Sequence, residues 1–145
     1  MIKVSIASPQ HHVPVERGHY RHAVRAVLEA EGIKSAEISI AFVDNATIHR
    51  LNRQFLDHDE PTDVLSFPLS KSGTLEGELI IGAEVALAEA RSRGHDVQAE
   101  LTLYIIHGLL HLCGYDDHTA RHAREMRRRE RLYLERLGLP QISPH

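Results

Sequence analysis

The chain has no tryptophan and a single cysteine, Cys113. One thiol cannot close an internal disulfide, which fits a reducing compartment. No run of about 18 apolar residues occurs, so nothing in the sequence is built to span a bilayer. The opening MIKVSIASPQHH lacks the long apolar core of a secretory signal. These absences predict a cytoplasmic protein with no membrane partner. A positive excess is lacking too: the formal net charge is −3, which does not advertise nucleic-acid binding. Repeats, linkers and low-complexity segments are also missing, so residues 1–145 are expected to form one domain. What is present is the composition of a soluble globular protein, 42% apolar and 26% charged over 145 residues, enough for a real core.

Histidine is plentiful, at twelve. Most are scattered without ligand spacing, and the pair His11–His12 reads as solvated. The exception lies in LTLYIIHGLLHLCGYDDH, residues 101–118. His107 and His111 are four apart in an apolar run, which stacks both imidazoles on one helix face. Gly114 ends that helix by tolerating the left-handed conformation. Asp117 and His118 follow, and either can swing back as a third ligand. Three ligands with a fourth position open to water describe a catalytic zinc site. Cys113 follows His111 by two, points elsewhere and is expected to be buried. Where an H-E-x-x-H zinc peptidase carries its glutamate base, this chain has Gly108, which counts against peptide hydrolysis.

Periodicity orders the rest. Residues 2–7 alternate as a strand, and Pro14 is expected to open a helix to Ala30, closed at Gly32. Residues 36–43 form a strand with Ile38, Ile40 and Phe42 on one face. Asp44 or Asn45 caps the next helix. Residues 56–63 are a polar loop stiffened by Pro61, and VLSFPL at 64–69 is a strand stopped by Pro68. Residues 71–74 turn into a strand at 77–82, followed by a helix ending at Gly94. Asp96 is expected to cap the histidine helix, 97–113. Thr119 caps a last helix reaching about Leu137, with Gly138 and Pro140 ending it. This order predicts an α+β fold: a mixed or largely antiparallel four-stranded sheet with about five helices. Charge is unevenly placed. Residues 118–145 carry seven arginines against three glutamates, at Arg121, Arg124, Arg127, Arg128, Arg129, Arg131 and Arg136. That run is either a solvated face or a contact for RNA.

HGLLHLCGYDD is similar to the H-G-x-L-H-L-x-G-Y-D-H signature of the YbeY family of bacterial zinc-dependent endoribonucleases. LNRQFLDHDEPTDVLSFPL, 51–69, resembles that family's N-x-x-[FY]-R-x-x-D-x-P-T-D-V-L-S-F-P, and Gly77–Glu78–Leu79–Ile80–Ile81 resembles its glycine–acidic strand. The resemblance runs in order from about residue 51 to 118. It implies an α+β sheet with helices and a metal held in a cleft. It also implies zinc-dependent cleavage of single-stranded RNA in ribosome biogenesis, at the 3′ end of the small-subunit 16S RNA, with ribosomal RNA, ribosomal proteins or the small subunit as partners.

Two departures stand out. The family's arginine after the aromatic is Leu56 here, so Arg50 or Arg53, on the same helix, is expected to take over the RNA contact. The family's third histidine falls six residues after the second. That position is Asp117, which is favoured, with His118 one beyond it.

His107, His111 and Asp117 (or His118) would thus hold one zinc ion and carry catalysis, with Arg50, Arg53, Asp63 and Ser66 contacting substrate. Zinc would polarise a phosphodiester oxygen, activate a water, or both. Asp63 or Asp116 could act as base. Two rival readings share the histidine helix: a peptidase-like zinc hydrolase, and a metal-stabilised ribosome-assembly module that does not cut.

Overall fold

Among the described residues four strands pair into one sheet, and five helices pack around it. The computed structural model describes residues 1–58, 62–69, 73–139 and 142. In chain order the elements are β1 (Ile2–Ala7), α1 (Arg17–Ala30), β2 (Ala36–Val43), α2 (Asn45–Leu56), β3 (Val64–Pro68), β4 (Leu75–Gly82), α3 (Ala83–Arg93), α4 (Val97–Leu112) and α5 (Ala120–Arg136). The strands lie in the order β1-β2-β4-β3. β2 runs parallel to both β1 and β4, while β3 is antiparallel to β4. The sheet is therefore mixed, and the largely antiparallel alternative does not hold. Strands β1 and β2 are joined through α1, and a helical crossover allows parallel pairing.

Alternation sorts the side chains. Ile38, Ile40 and Phe42 of β2 join Leu79 and Ile81 of β4 in the main core, under α1, α4 and α5. Ile80, one residue out of phase, points to the other face. There it meets Leu65 and the α2 residue Ile48 in a smaller cluster. Helix α4 is buried on nearly every side, from Ala99 to Leu110. Such a helix belongs inside a domain, and it carries the two spaced histidines. Among the described residues no helix is long and apolar enough to cross a membrane.

Several boundaries differ from expectation. Helix α1 begins at Arg17, not Pro14. The buried side chain of Gln10 accepts from the His12 and Val13 amides and donates to the Val13 carbonyl. The Pro14 carbonyl accepts from Gln98 Nε2 at 2.7 Å. These bonds give residues 10–14 an alternative to a helical ladder. Strand β4 starts two residues early, at Leu75, because its whole length pairs with β2. Asp96 stands at the α4 N-cap, but its side chain makes no cap bond; its carbonyl receives the Ala99 and Glu100 amides. Helix α4 ends at Leu112, with Cys113 as C-cap. Asp44, rather than Asn45, caps α2 through the Thr47 amide, and Thr119 caps α5 through that of His122. The expected roles of Pro61 and Pro140, and the first half of the turn at 71–74, lie outside the described residues.

Candidate metal centre

Helix α4 can pack tightly on β3 and β4 because Gly108 has no side chain. A Cβ there would stand 2.8 Å from Leu79 Cδ2 and 3.2 Å from both Ser66 Oγ and Val64 Cγ2. The close approach puts His107 and His111 at the edge of a cleft of about 250 Å³. Asp63 and Ser66 line the same cleft with the histidines, together with apolar Leu56, Val64, Leu65, Pro68 and Leu112. The backbone then turns at Gly114, φ 103°. A side chain would be strained in that conformation.

The turn returns Asp117 to the helix. Donor atoms of His107, His111 and Asp117 all lie within 4.8 Å of one another. The Nε2 atoms of the two histidines face each other at 3.0 Å. Two nitrogens on a tetrahedral zinc would be about 3.3 Å apart, given Zn–N distances near 2.0–2.1 Å. Two imidazoles and a carboxylate are also a donor set that zinc and its neighbours accept. The residues fit a divalent ion.

Each ring has its own surroundings. His107 Nδ1 lies within hydrogen-bond distance of Glu130 Oε2, at 2.9 Å. Burial pulls the His107 pKa down, but the hydrogen bond and charge of Glu130, helped by Asp63 and Asp117, outweigh it and the net shift is upward. His111 goes the other way: burial and the neighbouring His107 depress it, against a smaller pull from Asp117. Such opposed environments on adjacent titratable groups are common at functional sites.

The remaining candidates separate. His118 is exposed, and its amide donates to Asp116 Oδ1; it is not in the donor group. The Asp116 carboxylate also pairs with His122 at 3.1 Å. Asp63 Oδ1 accepts from the Val64 amide at 2.8 Å, and Ser66 Oγ donates to the Gly108 carbonyl at 3.4 Å. Arg50 and Arg53 are exposed on α2 and do not line the cleft, whereas Leu56 does. Cys113 is half-buried, and burial pushes its thiol up to about 11.

Sequence reasoning missed Glu130. It is 3% exposed and sits on the buried stripe of α5 with Met126, Tyr133 and Leu134. A carboxylate at core spacing inside an arginine-rich helix was the available signal. It missed Glu31 as well. Tyr115 OH donates to Glu31 at 2.8 Å, Tyr133 OH donates to it too, and Arg129 lies 3.6 Å away. That cluster ties the turn before Asp117 to α1 and α5.

The profile of the family described as "Endoribonuclease YbeY" matches residues 5–138. This chain belongs to the YbeY endoribonuclease family. Relatives of that name include one from Pelotomaculum thermopropionicum, 44% identical over 131 residues and covering 84% of this chain and 86% of its own. Another, from Chlorobium luteolum, is 41% identical over 115 residues and covers 79% and 84%. A solution structure of TM1509 from Thermotoga maritima superposes with a TM-score of 0.67 at 27% identity, over 92% of this chain and 88% of that one. The fold is thus shared with a solved structure, and the YbeY membership extends well before the motifs at 51–118.

Proposed function

We propose that this chain is a metal-dependent endoribonuclease that cuts single-stranded RNA during ribosomal RNA maturation, including the 3′ end of the small-subunit RNA. The observation that carries the reading is the convergence of the His107, His111 and Asp117 donor atoms beside a cleft, in a member of the YbeY family. In this reading the whole chain is one catalytic domain, it works in the cytoplasm, and ribosomal proteins or the small subunit present the substrate.

His107, His111 and Asp117 hold the ion, which we take to be zinc. When bound, zinc supplies Lewis-acid chemistry, polarising a phosphodiester oxygen and making water more acidic. The chain's own groups do the rest. Leu56, Val64, Pro68 and Leu112 keep bulk water from one side of the cleft and take the apolar surface of the nucleotide. Ser66 offers a hydroxyl to substrate oxygen. Asp63 is the carboxylate lining the cleft, held in place through Oδ1, and it takes the proton from the attacking oxygen. Arg50, Arg53 and the exposed arginines of α5 hold phosphates further along the strand. His118, beside Asp117 and open to solvent, contacts substrate.

A peptidase of the H-E-x-x-H kind needs a glutamate where this chain has Gly108. A Cβ at that position already meets Leu79 at 2.8 Å. The test is to incubate zinc-loaded protein with unstructured RNA and with casein, with and without a chelator. RNA should be cut, casein should stay intact, and chelation should stop the cutting. Casein cleavage would make the protein a peptidase. Absence of any cutting, with chelation lowering only the melting temperature, would make it a metal-stabilised assembly module.

A further inference from the structure

We propose that Glu130 is the positioning residue of the metal centre: it fixes His107 in the Nδ1–H tautomer and so presents Nε2 as a bare donor. The proposal rests on the metal reading above. An ionised carboxylate only accepts hydrogen bonds. With Oε2 at 2.9 Å from Nδ1, the proton of a neutral ring belongs on Nδ1. Nε2 is then left with its lone pair, and it is the atom that faces His111 Nε2 at 3.0 Å.

Two further observations support a dedicated role. Four arginines flank Glu130 in sequence, at 127, 128, 129 and 131, yet its carboxylate is directed at an imidazole on another helix. It is also 3% exposed, within an apolar stripe. A carboxylate there is costly unless its partner is fixed. Helix α5 is held in register by the preceding residue. Arg129 lies 3.6 Å from Glu31 and 5.7 Å over the Tyr115 ring. Tyr115 is two residues before Asp117. Adjacent residues of one helix therefore grip both halves of the donor set, Glu130 through His107 and Arg129 through the turn that carries Asp117.

A carboxylate behind a ligating histidine orients the ring and raises its basicity, and its loss typically weakens metal binding about 10–100-fold. The experiment has two readouts. Long-range ¹H–¹⁵N spectra of the metal-free protein, at a pH where the ring is neutral, report the His107 tautomer. Competition with a chromophoric chelator reports the Zn²⁺ Kd. Wild type should show Nδ1–H. Glu130→Gln, whose amide oxygen still accepts, should keep that tautomer with a modest loss of affinity. Glu130→Ala should lose the tautomer preference and weaken Zn²⁺ binding by about 10–100-fold. A merely structural role would lower the melting temperature without moving the tautomer.

The proposal is overturned if wild-type His107 carries its proton on Nε2. That measurement needs no variant to fold. It is also overturned if folded Glu130→Ala binds Zn²⁺ within about twofold of wild type, against the loss a supporting carboxylate should cause. Failure of wild type to bind Zn²⁺ at all would instead overturn the metal reading, whatever the tautomer.

Discussion

The tight seat of α4 on the sheet can be measured with one pair of substitutions, Gly108→Ala and Gly18→Ala. Both glycines are helical, Gly108 in the interior of α4 and Gly18 in the first turn of α1, and neither has a positive φ. Nothing lies within 4 Å of a Cβ at Gly18, whereas one at Gly108 meets Leu79 at 2.8 Å and Ser66 and Val64 at 3.2 Å. Alanine is favoured over glycine in a helix interior by about 1 kcal/mol, so Gly18→Ala should be neutral to stabilising by up to that amount. Leu79 is fully buried, so its methyl has to move into packed surroundings. Overpacking of this kind costs about 1–3 kcal/mol. At Gly108 that cost cancels or outweighs the full helix preference, so Gly108→Ala should range from neutral to about 2 kcal/mol less stable than wild type, and fall below Gly18→Ala. Urea titration of the two variants and wild type, with m compared to check two-state behaviour, gives the difference. The added methyl also crowds Ser66 Oγ, so Gly108→Ala should lose activity as well. Equal stabilisation by both substitutions would refute the close approach and, with it, the steric argument against a glutamate at 108.

Three further outcomes are expected. Asp117→Ala should strip the metal, His118→Ala should keep it and lose at most part of the activity, and Asp117→His should be tolerated; metal analysis of the purified variants decides, and the reverse pattern for the first two would move the third ligand to His118. Charge reversal of Arg124, Arg128 and Arg131 to Glu should weaken RNA binding and flatten its dependence on salt, since each lost phosphate contact removes about 0.7 from the log–log slope for single strands; unchanged affinity across several salt concentrations would make the run a solvated face. Cys113, with its thiol pushed up to about 11 by burial, should react with a thiol reagent at pH 8 far more slowly in the native protein than in denaturant, because the thiolate is the reactive form.

The element order was legible because period and punctuation agreed along most of the chain. Ile38, Ile40 and Phe42 alternate, the α4 run is long and apolar, and Gly94 and Gly114 adopt the positive φ expected of helix ends. The start of α1 was not legible, because a single side chain, Gln10, bonds residues 12 and 13 into a turn. Pro14 alone looked like a helix opener. Parallel pairing of β2 with β4 was hidden as well. It joins strands separated by α2 and β3, and no local pattern encodes a partner that distant. At the site, His107 and His111 stood out because their relation is local, four residues on one helix. The partner of His107, Glu130, is on another helix 23 residues away, where local composition reads as a basic face. The same holds for Glu31, whose bonds to Tyr115 and Tyr133 span 84 and 102 residues.

The most direct test of the account is the metal content of wild type, His107→Ala and His111→Ala, measured by elemental analysis on protein purified without added metal and paired with cleavage of an unstructured RNA. Two ligands cannot hold what three do. The expected result is one tightly bound divalent ion in wild type, little in either variant, and loss of RNA cleavage in step with the metal. Equal metal content in all three proteins, or undiminished cleavage by the alanine variants, would contradict it.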